Sequence, residues 1–248
     1  MLIIGNWKMN GSAESLTTFF KTFQESSDAE VQIAVAPPYP YLPSLKAHGA
    51  SIFMAAQDCS THAGSGAFTG EVSAQMLADV GCTYVIVGHS ERRQYFHETD
   101  QTVLTKTQNV LSAGMVPVIC IGETLEQRKA GQTQDVLAHQ LKLMIQHIAK
   151  EARVVIAYEP VWAIGTGLTP ENAEIQEGCN FIARTLSDFS DVTVLYGGSV
   201  NGDNASEIFG NDAVQGALVG GASLKPHEFQ RIIDSAKRRT NFDVNAVS

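Results

Sequence analysis

Cysteine is scarce and poorly spaced for chemistry. The four residues Cys59, Cys82, Cys120 and Cys179 form no C-x-x-C pair and no zinc-ligand spacing, so reduced thiols in a reducing compartment are expected. Long apolar runs are missing too. No stretch of about 18 apolar residues occurs, which leaves no candidate membrane span. The opening MLIIGNWKMN lacks the basic and apolar segments of a secretory leader, so a cytoplasmic protein is expected. Positive charge is in deficit, with 17 Lys and Arg against 26 Asp and Glu and a formal charge of −9. That field repels nucleic acid and anionic lipid, and an acidic substrate needs a local site working against it. Linkers, charge blocks and low-complexity segments are also lacking, so the 248 residues, 44% of them hydrophobic, read as one large α/β domain.

What is present is a rhythm. Eight apolar runs recur at Leu2–Trp7, Val31–Ala36, Ser51–Ala56, Tyr84–Val87, Val116–Ile121, Val154–Tyr158, Val192–Tyr196 and Gly216–Val219. Most are continuously apolar, as parallel strands covered on both faces require. Between them lie helical periods, such as Leu137, Leu141, Met144 and Ile148, then Ile175, Cys179, Ile182 and Leu186. Eight strand–helix rounds predict a closed (β/α)₈ barrel of eight parallel strands with outer helices. A doubly wound open sheet would favour a Gly-rich turn after the first strand. Asn6-Trp7-Lys8 stands there instead, and the glycines gather after runs six, seven and eight.

In such a barrel, chemistry sits where strands end. Lys8 closes the first run, and taken alone it reads better as an ordinary solvated lysine. His89 closes the fourth, followed by Ser90 as the expected helix cap. Helix N–H groups facing the imidazole would keep it neutral, able to donate to a carbonyl, whereas the bland reading is a hydrogen-bonded structural histidine. Glu159 closes the sixth beside Tyr158, Pro160 and Trp162, where desolvation should raise its pKa and strengthen it as a base. Its structural alternative is an ion pair. Gly165-Thr166-Gly167, Gly197-Gly198-Ser199 and Gly220-Gly221-Ala222-Ser223 could converge on a dianion, although each alone is turn punctuation. Asp58–Glu71 is a long polar loop with Phe68 near its tip, a length that is usually functional.

GNWKMNG, VGHSERR, CIGETLEQR, AYEPVWAIGTG, LYGGSV and VGGASL, in this order at the ends of runs one and four to eight, resemble the triosephosphate isomerase family over nearly the whole chain. The resemblance implies interconversion of glyceraldehyde 3-phosphate and dihydroxyacetone phosphate through an enediolate, with no cofactor and no metal. It assigns Glu159 as general base, His89 as electrophile and Lys8 as the stabilising cation. Asn6, Ser90, Glu91 and Cys120 support them, although Cys120 also reads as a packed thiol or a redox site. Gly165, Ser199, Gly220 and Gly221 would cradle the phosphate. Pro160, Val161, Trp162, Ala163, Ile164, Gly165, Thr166 and Gly167 would form a mobile lid, latched by Tyr196 and Ser199. Phe68 and Thr69 would enter a neighbouring subunit, which implies a homodimer without nucleic-acid or membrane partners.

Three departures carry expectations of their own. Leu168-Thr169-Pro170 stands where the family usually has Lys-Thr-Ala, so Pro170 should open a helix behind a Thr169 cap. Asp58 follows Gln57 in place of the usual Asn and should add negative charge beneath the docking loop. The tail 238–248 has little periodicity and should fray. Another phosphosugar barrel enzyme, an aldolase or epimerase, would need a Schiff-base lysine near the end of run five or six. A non-catalytic phosphate-binding barrel would be expected to have lost Lys8, His89 or Glu159.

Overall fold

A computed structural model describes residues 1–23, 30–45, 52–164 and 170–246, with side chains described through residue 240. Its strands β1 (Leu2–Asn6), β2 (Gln32–Ala36), β3 (Ile52–Ala56), β4 (Tyr84–Val87), β5 (Val116–Ile121), β6 (Val154–Tyr158), β7 (Val192–Tyr196) and β8 (Gly216–Val219) close on themselves in sequence order. Every neighbouring pair is parallel, and β1 pairs with both β2 and β8. The eight apolar runs were therefore strands, each displaced by no more than a residue.

Ten helices are described around them: α1 (Ala13–Thr22), α2 (Leu42–Leu45), α3 (Ala74–Val80), α4 (Ser90–Tyr95), α5 (Asp100–Ser112), α6 (Leu125–Lys129), α7 (Thr133–His147), α8 (Asn172–Thr185), α9 (Ala205–Phe209) and α10 (Pro226–Ala246). None is long and apolar enough to cross a membrane.

The continuous apolarity of the strands has a simple cause. Leu2, Ile4, Ala34, Tyr84, Val118 and Leu195 fill the barrel's interior, while Ile3, Val35, Val85, Ile119, Ile156 and Val219 face the helices. Alternate residues thus enter two different apolar layers, and water reaches the strands mainly at their beginnings, as at Phe53. Cys120 is one of the interior set, one residue before the end of β5, not its last residue. The helical stripes behave accordingly: Leu137, Leu141 and Met144 bury one side of α7, and Ile175, Cys179 and Ile182 one side of α8.

Three expectations are corrected. The tail does not fray at 238, because α10 continues to Ala246; Arg239 anchors it on the carbonyls of Phe209 and Asn211 and on Asp212. Pro170 precedes α8 without opening it. The cap is Glu171, whose N–H donates to Glu174 Oε2 at 2.8 Å, and Thr169 lies outside the described residues. Helix α4 is capped by His89, with Ser90 its first helical residue.

Asp58 adds its negative charge beside two cations, so the expectation for it is refined and not reversed. Its Oδ1 lies 2.6 Å from Lys106 Nζ and its Oδ2 2.9 Å from Arg92 Nε. Both cations also hold Glu98 Oε1, each at 2.5 Å. Asp58, Glu98 and Lys106 are all buried. Burial pushes the Asp58 carboxyl above its ordinary value despite Lys106, whereas burial's upward push on Glu98 is outweighed by its bonds to Lys106 and Arg92.

Candidate active site

The C-terminal ends of the strands surround a cavity of about 390 Å³ whose walls include Asn6, Lys8, His89, Glu159, Ser199 and Gly220. This size suits a small ligand.

Lys8 leaves β1 with φ +50°, a conformation a non-glycine residue adopts only when its surroundings impose it. Two neighbours do so: Asn6 Oδ1 accepts the Lys8 N–H at 3.0 Å, and Gln57 Nε2 donates to the Lys8 carbonyl at 2.8 Å. The ammonium reaches Glu91 at 2.7 Å. Asn6 and Glu91 therefore support this lysine as expected, whereas Gln57 stood unnoticed beside Asp58 in the sequence.

His89 turns the chain from β4 into α4. Its Nδ1 accepts the Glu91 N–H at 3.2 Å, and its Nε2 lies 3.1 Å from Glu159 Oε1. A backbone amide can only donate, so Nδ1 carries no proton and the ring is the neutral tautomer with hydrogen on Nε2. Burial opposes protonation, but the adjoining Glu159 carboxylate tips the ring's pKa upward from its ordinary value. The amide on Nδ1 favours the neutral ring, against the pull of the Glu159 and Glu91 carboxylates toward protonation.

Glu159 is fully buried at the top of β6. Its Oε2 accepts the Ser90 N–H at 3.1 Å, while its Oε1 has no aligned donor. The expected rise in its pKa is overturned here. Burial does push upward, but His89, the Ser90 N–H and Lys8 together bring the carboxyl below its ordinary value. One oxygen is held by a backbone donor, and the other faces the His89 ring at 3.1 Å.

Room for this side chain comes from Gly197, where a Cβ would lie 2.8 Å from Glu159 Cγ. This first glycine of the Gly197-Gly198-Ser199 stretch therefore makes room for the carboxylate and also borders the cavity. Cys120 is fully buried nearby, and burial with the Glu159 charge raises its thiol well above the ordinary range, which disfavours thiolate redox chemistry. Arg93, also unnoticed in the sequence, joins the ends of β4 and β5 by donating to the Gly88 carbonyl at 2.9 Å and the Cys120 carbonyl at 3.4 Å.

The segment after Glu159 begins with Pro160 and a turn at Val161–Ala163. Glu123, which sequence reasoning also missed, governs it: its carbonyl accepts the Val161 N–H at 3.0 Å, and its carboxylate accepts Trp162 Nε1 at 3.1 Å and the Tyr158 hydroxyl at 3.2 Å. Ser199 Oγ donates to the Ala163 carbonyl at 2.9 Å. The Tyr196 hydroxyl is buried with no partner among the described residues. Ile164 completes the described part of the expected lid, and Gly165, Thr166 and Gly167 lie outside it. Gly220 and Gly221 border the same cavity, and a Cβ at Gly220 would lie 3.7 Å from Lys8 Cε.

Phe68 and Thr69 stand apart from this cavity. Phe68 stacks on His62 within its own loop, ring centroids 3.5 Å apart, so it does have an internal partner, yet it stays exposed together with Met9, Met76, Tyr95 and Phe96.

The family described as Triosephosphate isomerase matches residues 1–236. The chain is similar to the triosephosphate isomerase of Cupriavidus necator, 47% identical over 240 residues that cover 93% of this chain and 97% of the relative. It is 45% identical to that of Herminiimonas arsenicoxydans, over 95% and 98% of the two chains. Against that of Francisella philomiragia the identity is 42%, over 96% and 97%.

Proposed function

The chain belongs to the triosephosphate isomerase family and isomerises triose phosphates; from that premise we propose that Glu159 is its general base, His89 its proton donor to oxygen and Lys8 its stabilising cation. The observation that carries this reading is the buried Glu159 carboxylate with its Oε1 3.1 Å from His89 Nε2, in the cavity that Lys8 also lines. Glu159 removes a proton from the carbon next to the substrate carbonyl, and the electron pair moves onto oxygen. His89 Nε2–H donates to that oxygen, and the Lys8 ammonium offsets its charge. A base alone supplies only about 10²–10⁴ in rate, so the developing oxyanion must be stabilised as well. Moving the Glu159 carboxylate away from the Ser90 N–H toward substrate removes a bond that favours its ionised form, and so strengthens it as a base.

The phosphate group would sit against Ser199, Gly220 and Gly221, with Gly165 joining from the lid. Pro160–Gly167 would close over the site, its Ala163 carbonyl held by Ser199 and its far end received by the Tyr196 hydroxyl. Closure would exclude water and restrain the enediolate from expelling its neighbouring phosphate. Lys8→Met is expected to lower kcat by about a hundredfold with the barrel intact, since it deletes one stabilising group for the oxyanion. A coupled assay of triose phosphate interconversion beside circular dichroism checks this, and turnover within a few-fold of wild type would remove Lys8 from the mechanism.

A homodimer is part of the same reading. Phe68 stays exposed near the tip of the long loop after β3 although it is large and apolar, and the family resemblance places this tip in a neighbouring subunit. Four free, buried thiols support a reducing, cytoplasmic setting. Placing a carboxylate at the loop tip with Thr69→Glu should raise the dimer dissociation constant at least about tenfold, because the charge would be desolvated in the contact. Sedimentation at a series of concentrations reads it, and an unshifted dimer would remove this loop from the interface.

A further inference from the structure

The β5–β6 ladder pairs Ile121 with Tyr158 and ends in a last bond, Glu159 N–H to the Ile121 carbonyl at 2.7 Å. The next residue, Gly122, is buried beyond that point and has no strand partner for its own N–H and carbonyl. Gln140, on the outer helix α7, supplies both. Its Oε1 accepts the Gly122 N–H at 2.8 Å and its Nε2 donates to the Gly122 carbonyl at 3.2 Å. One side-chain amide thus imitates an additional rung of the sheet.

Gly122 lies directly against the backbone of Glu159. A Cβ there would lie 1.6 Å from the Glu159 carbonyl oxygen and 3.3 Å from its Cα, so the two backbones touch with no side chain between them. The adjoining Glu123 then binds Val161 and Trp162, as described above. Movement of the Gly122 peptide would pass directly into the backbone of Glu159 and into the start of the lid.

We propose that Gln140 is a positioning residue for the isomerisation, fixing through Gly122 the seat of Glu159 and of the first lid residues. The proposal rests on Glu159 being the base. Its size follows from geometry, because displacing a reacting group by about 1 Å can cost up to about a hundredfold in rate. The residual contacts of Glu159 moderate this, and a tenfold effect is expected.

Gln140→Met keeps the length of the side chain and removes both bonds to Gly122. It should lower kcat by about tenfold while KM stays within about twofold, as expected when the reacting group and not the substrate pocket is disturbed. Gln140→Glu keeps the acceptor for the Gly122 N–H but sets a carboxylate against the Gly122 carbonyl, and should fall between wild type and Gln140→Met. Leu137→Ala, a core truncation on the same helix, controls for lost stability and should leave kcat per folded molecule unchanged. Wild-type kcat in folded Gln140→Met, or an equal loss in Leu137→Ala, would overturn the proposal. If Gln140→Met does not fold, Gln140→Glu takes its place in the same comparison, and its wild-type kcat would be equally decisive. Glu159→Gln, measured in parallel, keeps the two readings apart: its normal turnover would reject the base itself, whatever Gln140 does.

Discussion

Glu159→Gln leaves a folded barrel whose kcat is lower by at least about a hundredfold and by as much as about 10⁴, the range a general base supplies. The amide has the shape of the carboxylate and its oxygen can still accept the Ser90 N–H, so the cavity keeps its walls. It cannot take a proton from carbon. Turnover in a coupled assay, with circular dichroism as the check on folding, measures the loss, and near-normal kcat would reject Glu159 as base. The same variant has a signature in stability. His89, the Ser90 N–H and Lys8 hold the Glu159 carboxyl below its ordinary value. Its ionisation therefore stabilises the folded protein above the unfolded carboxyl's pKa, and that contribution is lost as pH falls through the folded one. On acidification below that unfolded value, the Tm of wild type should fall more steeply than that of Glu159→Gln. Parallel curves would mean that the carboxylate gains nothing from its neighbours.

Lys106→Met should unfold far more easily and yet turn over normally while folded. Lys106 is 4% exposed and is shared between Asp58 and Glu98. Removing it leaves two buried carboxylates with Arg92 alone, and breaking a buried ion network in this way costs about 3–5 kcal/mol. For a protein of this size that lowers Tm by about 10 °C or more. The pH dependence has a definite sign. Asp58, already above its ordinary value with Lys106 present, titrates higher still without it, so the variant keeps most stability below the unfolded value of this carboxyl and loses it as pH rises through the folded one. The deficit should therefore shrink on acidification toward pH of about 4, where unfolded carboxyls take up protons. Thermal melts of both proteins across pH decide the matter, and a Tm within a degree or two of wild type at neutral pH would show that the cluster does not hold α5 to the loop after β3.

Much of the barrel could be read from the chain because each strand buries both faces, which leaves an unbroken apolar run with turn residues at its ends. The strand-end polar residues were legible for the same reason: Lys8, His89 and Glu159 interrupt those runs where water should not yet begin. Gln57, Arg93, Glu123 and Gln140 were hidden by the nature of their partners. The side chains of Gln57, Arg93 and Gln140 bind backbone carbonyls or amides wholly or in part, and backbone groups are identical at every position, whereas the Glu123 carboxylate meets side chains 35 and 39 residues away; no spacing in the sequence marks either kind of pairing. His89 in place of Ser90 as the cap of α4 illustrates a related limit, since an imidazole nitrogen can accept an N–H as a hydroxyl does. The direction of the Glu159 pKa depended on donors from other elements, and its immediate neighbours Tyr158, Pro160 and Trp162 suggested only desolvation.

Lys8 also carries a consequence for how this chain can change. Its backbone lies in the left-handed region, which glycine adopts freely and asparagine more readily than most residues. Neither carries an ammonium. Substitutions that relax the turn after β1 are therefore the ones that empty the cavity of its cation, and selection for heat resistance alone would drift toward a sturdier barrel without its chemistry. Position 8 is a point where fitness for endurance and fitness for turnover pull a lineage in opposite directions.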